Sequence, residues 1–486
     1  MSPEQAVIVI GSGLAGLCAT TQLIAHRIPV VMLERAAKPG GNSIKASSGI
    51  NGAPTRFQPP LQNDAADLFL ADTRRSAGRP LAASVDAERA RRETLITTLV
   101  TSSAEAVDWL ADEQGVDLST VAQLGGHSRA RTHRGGAGQK PPGFAIVSAL
   151  LESLDREPLF QLRTNTRVTR VVPAEEGQKA GKEGMLGVEV AGQEEGDNRT
   201  ETLYGPLVFA TGGFAGDTHG LLAKYRPDLA GIPSTNDARE GTQPLLEAVG
   251  AAVVDMEQVQ VHPTGFVDAK DPAARVKFLA AEALRGEGGI LLDGRGRRLV
   301  DELTTREQVT AAVLASASPL GEETGLRQWD VSLLMDEGAA AASKTHLDFY
   351  RWKGLMRKTT VGELALALPS LRDTLQRYAD VVSGKTPDVF GRTAFGNWTL
   401  KEVSSDSVVY VGKVTPVVHF TMGGVVINEQ SQVLDTDGAP IQGLWAAGEI
   451  TGGLHGQNRL GGSSLLECVV FGRIAGENAA AFHQEH

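Results

Sequence analysis

The N-terminus restricts this chain to very few folds. Ala6-Val7-Ile8-Val9-Ile10 has the makeup of a buried strand, and Gly11-Ser12-Gly13-Leu14-Ala15-Gly16 follows at once. An apolar helical pattern then runs to about Ala25, and a second strand, Pro29 to Leu33, ends in Glu34. Strand, glycine turn, helix, strand and acid in that order form the dinucleotide-binding unit of a doubly wound α/β sheet. Gly11 makes the turn, Gly13 lets a pyrophosphate approach the backbone, and Gly16 lets helix and strand pack. Glu34 stands where it can accept from ribose hydroxyls. A bare glycine triplet would carry little weight; the complete unit predicts a Rossmann-like domain.

Three further stretches share its character. Gly40-Gly41-Asn42-Ser43-Ile44-Lys45-Ala46-Ser47-Ser48-Gly49-Ile50-Asn51-Gly52 is dense in glycine and small polar residues and suits a loop lying along a phosphate and a flavin ring. Leu207 to Phe214 reads as a buried strand ending in glycines. Near the C-terminus, Gly443 to Ala447 reads as a strand, followed by Gly448-Glu449, then the loop HGQNRLGGSS (455–464) and a helix from Ser463 onward. Such a loop can cradle a cofactor while aiming the guanidinium of Arg459 at a carboxylate, which arginine grips bidentately.

The totals exclude several classes. A formal net charge of -11 argues against nucleic acid or an anionic membrane surface as partner. Cys18 and Cys468 fall in apolar helical patterns and read as buried thiols, so no disulfide framework or metal site is expected. No apolar run reaches membrane-spanning length. Met1-Ser2-Pro3-Glu4 lacks the basic start of a signal peptide, and the His-Gln-Glu-His end carries no address. A cytoplasmic, reducing compartment is expected, or a mitochondrial one if a targeting segment has been removed.

Between the motifs, residues from about Ala65 to Gly115 read as helices, with Ser84 as N-cap of the long one. Gly125 to Arg134 is a polar, basic stretch that suits either a site wall or solvated surface. Phe144 to Leu154 reads as helix, and Leu159–Val172 and Met185–Val190 as strands with charged hairpin loops at Glu175–Gly184 and Gln193–Thr200. The character changes at Gln258, where Val261-His262-Pro263-Thr264 is followed by an apolar helix, a hairpin through Gly294-Arg295-Gly296, a charged turn at Glu302–Arg306 and a long amphipathic helix, about Val361 to Val382. The expected architecture is an α/β nucleotide-binding domain split in sequence (1–257 and 419–486) around an inserted α+β domain (258–418). Six chemistry-bearing residues stand in the insert and last segment: His262, Glu282, Arg285, Arg306, His419 and Arg459. Glu282 and Arg285, three apart on a helical stretch, share a face.

In order along the chain, GSGLAG, GGNSIKASSGING, ATGGF, HPTGF, AEALRGEGG, TTRE, HFTMGGV and AAGEITGGLHGQNRLGGSSLLE resemble the soluble fumarate reductases, single-chain flavoproteins akin to the flavin subunits of succinate dehydrogenase and to L-aspartate oxidase. The wording around Asn42 is similar to the yeast-type enzymes. The resemblance implies FAD and a capping domain over it. It implies FAD contacts from Gly11, Gly13, Ala15 and Gly16; from Glu34 and Arg35; from Gly41, Asn42, Ser43, Ser48, Gly49, Ile50 and Asn51; from Ala210, Thr211 and Gly212; and from Gly448, Glu449, Ser464 and Leu465. It implies that His262, His419 and Arg459 bind substrate carboxylates. Reduced flavin would give hydride to one alkene carbon while Arg306 protonates the other, resupplied through Glu282 and Arg285.

The chain departs from the family's wording at three points. Asn42 stands where covalent histidyl-flavin members carry histidine, so non-covalent FAD is expected. Ala281 replaces a threonine before the relay acid. Glu240-Gly241-Thr242-Gln243 replaces Thr-Gly-Asp-Gly. Fumarate and succinate are the expected ligands. With no haem segment and no second nucleotide unit, a diffusible electron donor such as reduced flavin is expected. The alternatives are an oxidase or dehydrogenase of a related acid such as L-aspartate, a reductase of another unsaturated carboxylate, and a flavin-binding protein without turnover; the last would lack Arg306 or Glu282, and both are present.

Overall fold

The structure is a computed structural model describing residues 6–59, 64–136, 138–173, 186–192, 200–320 and 325–485. Its central sheet has six strands in the order Gln432–Leu434, Pro440–Ala446, Leu207–Phe209, Val7–Ile10, Val30–Leu33 and Phe160–Arg163. All neighbours are parallel except the Gln432–Leu434 edge. A parallel sheet covered on both faces needs continuous apolar strands, and Val7–Ile10, Val30–Leu33 and Leu207–Phe209 are buried at every position.

The helix Leu14–Ala25 packs against the C-terminal helix Ser463–Glu485, which joins the first and last segments of the chain. Absent side chains allow it: a Cβ on Gly472 would lie 2.6 Å from the Ala15 carbonyl oxygen, and one on Gly476 would lie 2.4 Å from that of Ala19. A Cβ on Gly16 would lie 2.0 Å from the Gly11 carbonyl oxygen, the helix-on-turn packing expected of that position. The strands Thr166–Pro173, Leu186–Gly192 and Thr200–Tyr204 form an antiparallel meander. Its expected hairpin loops, 175–184 and 193–199, lie outside the described residues.

A second, antiparallel sheet joins Val259–Phe266, Val408–Thr421, Val331–Asp336 and Ile290–Asp293, with Arg357–Thr360 added to the 408–421 strand. Helices including Arg306–Ser316 and Leu371–Val382 accompany it, and it has apolar cores of its own. The Val408–Thr421 strand runs unbroken through the expected domain boundary at 418.

Two local expectations need correction. Ser84 caps nothing: its hydroxyl donates to the Pro80 carbonyl, and the following helix, Asp86–Thr101, starts at Val85 without a side-chain cap. The helices expected over about 65–115 are present, as Ala66–Ala82, Asp86–Thr101 and Ser103–Asp112. The single helix expected over 361–382 is two, Val361–Ala365 and Leu371–Val382. Pro369 lies between them; it has no N–H to donate and disfavours helical geometry at the residue before it. No helix among the described residues is long and apolar enough to cross a membrane.

Candidate active site

The C-terminal ends of three parallel strands deliver Ile10, Ala210 and Ala447 to the wall of a cavity of about 960 Å³. Ligands of doubly wound sheets bind at this end. One stretch of the wall is bare backbone, since Gly13 and Gly41 face each other and a Cβ on Gly41 would lie 3.6 Å from Gly13 Cα. The turn is fixed from both sides. Glu34 accepts from the Ser12 N–H at 3.1 Å, from the Ser12 hydroxyl at 2.5 Å and from the Ala36 N–H at 2.8 Å, while Ser43 Oγ accepts from the Leu14 N–H at 3.1 Å. A dinucleotide fits this cradle: backbone without side chains for the pyrophosphate, a helix N-terminus beside it, and an oriented carboxylate for the ribose.

A cationic cluster occupies the side of the cavity toward the second sheet. Arg306 is the first residue of its helix, whose N-cap Thr305 accepts from the Gln308 N–H. The charged turn expected over Glu302–Arg306 ends in a buried arginine, with Arg306 at 5% exposure. Its Nε donates to Glu282 at 2.7 Å, and one terminal nitrogen donates to Gln260 Oε1 at 2.8 Å. Glu282 also accepts from the Gly125 N–H at 2.9 Å and lies 3.8 Å from Arg285, which donates to the Glu302 carbonyl at 2.6 Å. The His262 and His419 rings meet edge-on with centroids 5.3 Å apart. Arg459 lies over the Phe420 ring, 4.3 Å from its centroid. Several polar atoms here are buried without a hydrogen bond: His262 Nε2, Arg459 Nε, and two nitrogens of Arg285. Such atoms are costly unless a ligand completes them.

Electrostatics sharpen the picture. Burial, then the charge of Arg306, holds both His262 and His419 well below the ordinary imidazole range, so both are neutral near pH 7. Burial, then Arg306, lowers Arg459 to about 9. For Glu282, burial pushes upward, but the charges of Arg306 and Arg285 outweigh it and bring the group down to about 2. Burial raises Glu449 to about 7, partly offset by the hydrogen bond it accepts from the Thr421 N–H. The site therefore offers fixed positive charge, neutral imidazoles and one ionised carboxylate, a complement to a dianion.

The expected site residues separate into wall and backing. Gly11, Gly13, Ala15, Glu34, Arg35, Gly41, Asn42, Ser43, Ser48, Gly49, Ala210, Thr211, Gly212, Gly448, Glu449, Ser464 and Leu465 line the cavity, as do Arg306, His419 and Arg459. Gly16, Ile50 and Asn51 are not on the wall. Asn51 instead braces the arginine loop, donating to the Gly461 carbonyl at 2.7 Å and to Ser463 Oγ at 3.0 Å. His262, Glu282 and Arg285 are not on the wall and stand behind it.

Sequence reasoning missed three residues. Gln260 spans the two arginines: its Oε1 takes Arg306, and its Nε2 donates to Asn458 Oδ1 at 3.1 Å and to the Arg459 carbonyl at 2.8 Å. Thr235 Oγ1 meets His419 Nδ1 at 2.8 Å, and Asn236 donates to the His419 carbonyl at 2.9 Å while accepting from Asn42. In the Gly125–Arg134 stretch, which suits wall or surface equally by sequence, Arg129 is exposed but His127 and Arg131 to Arg134 are buried, with Arg131 paired to Asp64 and Asp72 and Arg134 to Glu287.

Residues 6–465 match a protein family described as an FAD binding domain. The chain is 41% identical over 488 residues to the fumarate reductase of Schizosaccharomyces pombe, covering 98% of this chain and 89% of that protein. It is 43% identical over 489 residues to fumarate reductase 1 of Saccharomyces cerevisiae, covering 98% of each. Among solved structures, the open conformation of a flavocytochrome c3 fumarate reductase matches with a TM-score of 0.72 and 30% identity, over 99% of this chain and 78% of that one.

Proposed function

This chain belongs to the FAD-binding flavoprotein family of the fumarate reductases, and from that premise we propose that it reduces fumarate to succinate with FAD as cofactor and Arg306 as proton donor. The observation that carries the substrate reading is the convergence of Arg306, Arg459, His262 and His419 on one side of the cofactor cavity, with buried donors left unmade. The Arg459 guanidinium and two neutral imidazoles suit the two carboxylates of a small dicarboxylate, with the Arg306 guanidinium beside them as the acid.

Bound FAD supplies the two-electron chemistry, and the residues of this chain supply the rest. Arg459 and His419, with His262 behind, hold the carboxylates and withdraw charge from the double bond. Arg306 is anchored on Glu282 and Gln260, so one edge of its fork is fixed while the group faces the cavity. From there it delivers a proton to the alkene carbon that receives no hydride. Because Glu282 is held ionised, it hands a proton on rather than storing one, and Arg285 lies 3.8 Å behind it as the next carrier. In this reading the chain works in a reducing, cytoplasmic setting. The electron donor in this reading is diffusible reduced flavin.

Anaerobic turnover with a reduced dye against fumarate, succinate, L-aspartate and larger enoates tests the assignment. Fumarate is expected to lead the panel; preference for aspartate oxidation, or for a bulkier enoate, would replace it. A reductase of another unsaturated carboxylate is the second reading, favoured by the small, buried Ala281 where the family's threonine would stand.

FAD is held without a covalent bond in this reading. Asn42 is an amide engaged with Asn236, and an amide is too weak a nucleophile to attach the ring. Acid precipitation is expected to leave the yellow chromophore in the supernatant. Flavin that travels with the denatured polypeptide would show that another residue attaches it.

A further inference from the structure

Beside the residues assigned to cofactor and dicarboxylate, the cavity carries an exposed aromatic group. Aromatic residues make up only 5% of the chain, yet three of them stand exposed together: Phe278 at 47%, Phe349 at 42% and Trp352 at 76%, beside Val276 at 43%. The Phe278 and Phe349 rings are 6.3 Å apart and Phe349 and Trp352 are 6.1 Å apart. Lys353 Nζ sits over two of these rings, 5.2 Å from Phe278 and 4.8 Å from Trp352. The nearest acid on that helix, Asp348, is paired with Lys344. Exposed apolar clusters of this kind mark binding surfaces.

The patch is continuous with the cofactor cavity. Val276, Phe278 and Phe349 line the outer part of the same cavity that Asn42 and Asn236 line within. Val276 is bridged to Ser234, two residues before Asn236, and the helix bearing Phe349 is tied to the polar loop by His346, whose ring nitrogen meets the Ser47 carbonyl at 2.6 Å. A flat ring lying on Phe278 and Phe349 would be at the entrance to the cofactor.

We infer that Phe278, Phe349, Trp352 and Lys353 form the docking platform for the electron donor, a reduced flavin mononucleotide, with its ring on the aromatic side chains and its phosphate at Lys353. This rests on the reading of diffusible reduced flavin as donor. Aromatic faces stack with planar rings in offset or edge contacts. The net charge of -11 repels an anionic donor at long range, so a local cation at the mouth is the element such a ligand requires. The step balances: reduced FMN loses two electrons and two protons to become FMN, both electrons and one proton pass to bound FAD, and the second proton goes to solvent.

The test uses holoenzyme under anaerobic conditions, with three reductants: photoreduced FMN, reduced riboflavin and reduced methyl viologen. Phe278→Ala combined with Phe349→Ala is expected to slow reduction of bound FAD by reduced FMN about tenfold or more, with methyl viologen within about twofold of the parent. Lys353→Glu is expected to slow reduced FMN severalfold but not reduced riboflavin, which lacks the phosphate. Equilibrium dialysis of holoenzyme against oxidised FMN gives a readout independent of turnover, and retention is expected in the parent and not in the double variant. A parent reduced readily by FMN and a double variant reduced equally fast would overturn the platform while leaving the donor reading in place. A parent that accepts electrons from methyl viologen but not from reduced FMN would overturn the donor reading, and the platform with it.

Discussion

Replacing Arg306 with alanine is expected to abolish fumarate reduction while FAD binding stays nearly intact. Among the described residues that line the cavity, Arg306 is the cation bonded to Glu282, the acid of the proposed relay: its guanidinium donates to Glu282 at 2.7 Å, and Glu282 lies 3.8 Å from Arg285. In the proposed relay, truncation removes the last carrier before the substrate. General acids contribute on the order of 10²–10⁴-fold, so a loss of roughly 10³-fold, about 4 kcal/mol, is expected. Affinity for fumarate should suffer less than turnover, because the donated proton matters only in the transition state. Arg306→Lys should recover little. Lysine presents one compact charge on a shorter reach and cannot hold Glu282 and Gln260 Oε1 together as the planar fork does. The helix itself tolerates the change, since alanine is a good helix former and Thr305 remains as cap. Bound FAD, read by absorbance after gel filtration, separates lost chemistry from lost folding. Turnover within about tenfold of the parent, an effect below ~1.4 kcal/mol, would show that Arg306 is not the acid.

The parts of the molecule written in the sequence are those whose determinants are local or carried by a long motif. The first βαβ unit was legible because strand pattern, glycine spacing and terminal acid all lie within residues 6–34 and agree with one another. The arginine loop was legible because Gly448 to Leu465 is one continuous stretch. Gln260 was not: its role depends on two arginines at positions 306 and 459, which meet it only after the second sheet forms, and a lone glutamine in a strand has no signature. Thr235 and Asn236 likewise gain meaning from a histidine at position 419. The Gly125–Arg134 stretch looked equally suited to solvent because its neutralising partners, Asp64, Asp72 and Glu287, lie far away in sequence. Ser84 shows the opposite failure. A good capping residue was present, but its hydroxyl went to the Pro80 carbonyl, a competition between local bonds that composition does not settle.

Arg459→Ala is expected to fail in a different way from Arg306→Ala, and the contrast tests the division of labour. Arg459 is buried, its Nε makes no hydrogen bond, and one terminal nitrogen reaches only the adjacent Leu460 carbonyl at 3.0 Å. Burial, with Arg306 nearby, already strains its charge, bringing its pKa down to about 9. A dicarboxylate would relieve that strain by completing the unmade bonds, so ligand and fold should stabilise each other. In the parent, succinate should raise the thermal midpoint of the FAD-loaded protein. In Arg459→Ala that rise should vanish and KM for fumarate should climb on the order of 10²-fold, about 2.7 kcal/mol, as expected for a lost buried charge contact. In Arg306→Ala the succinate-dependent rise should persist, because Arg459, His262 and His419 remain. The Phe420 face that Arg459 now covers stays available in the alanine variant, so loss of packing alone would lower the midpoint without erasing its dependence on succinate. An Arg459→Ala protein that keeps both the parent's KM and the full succinate shift would remove this residue from the substrate site and leave its carboxylate-binding role to the two histidines.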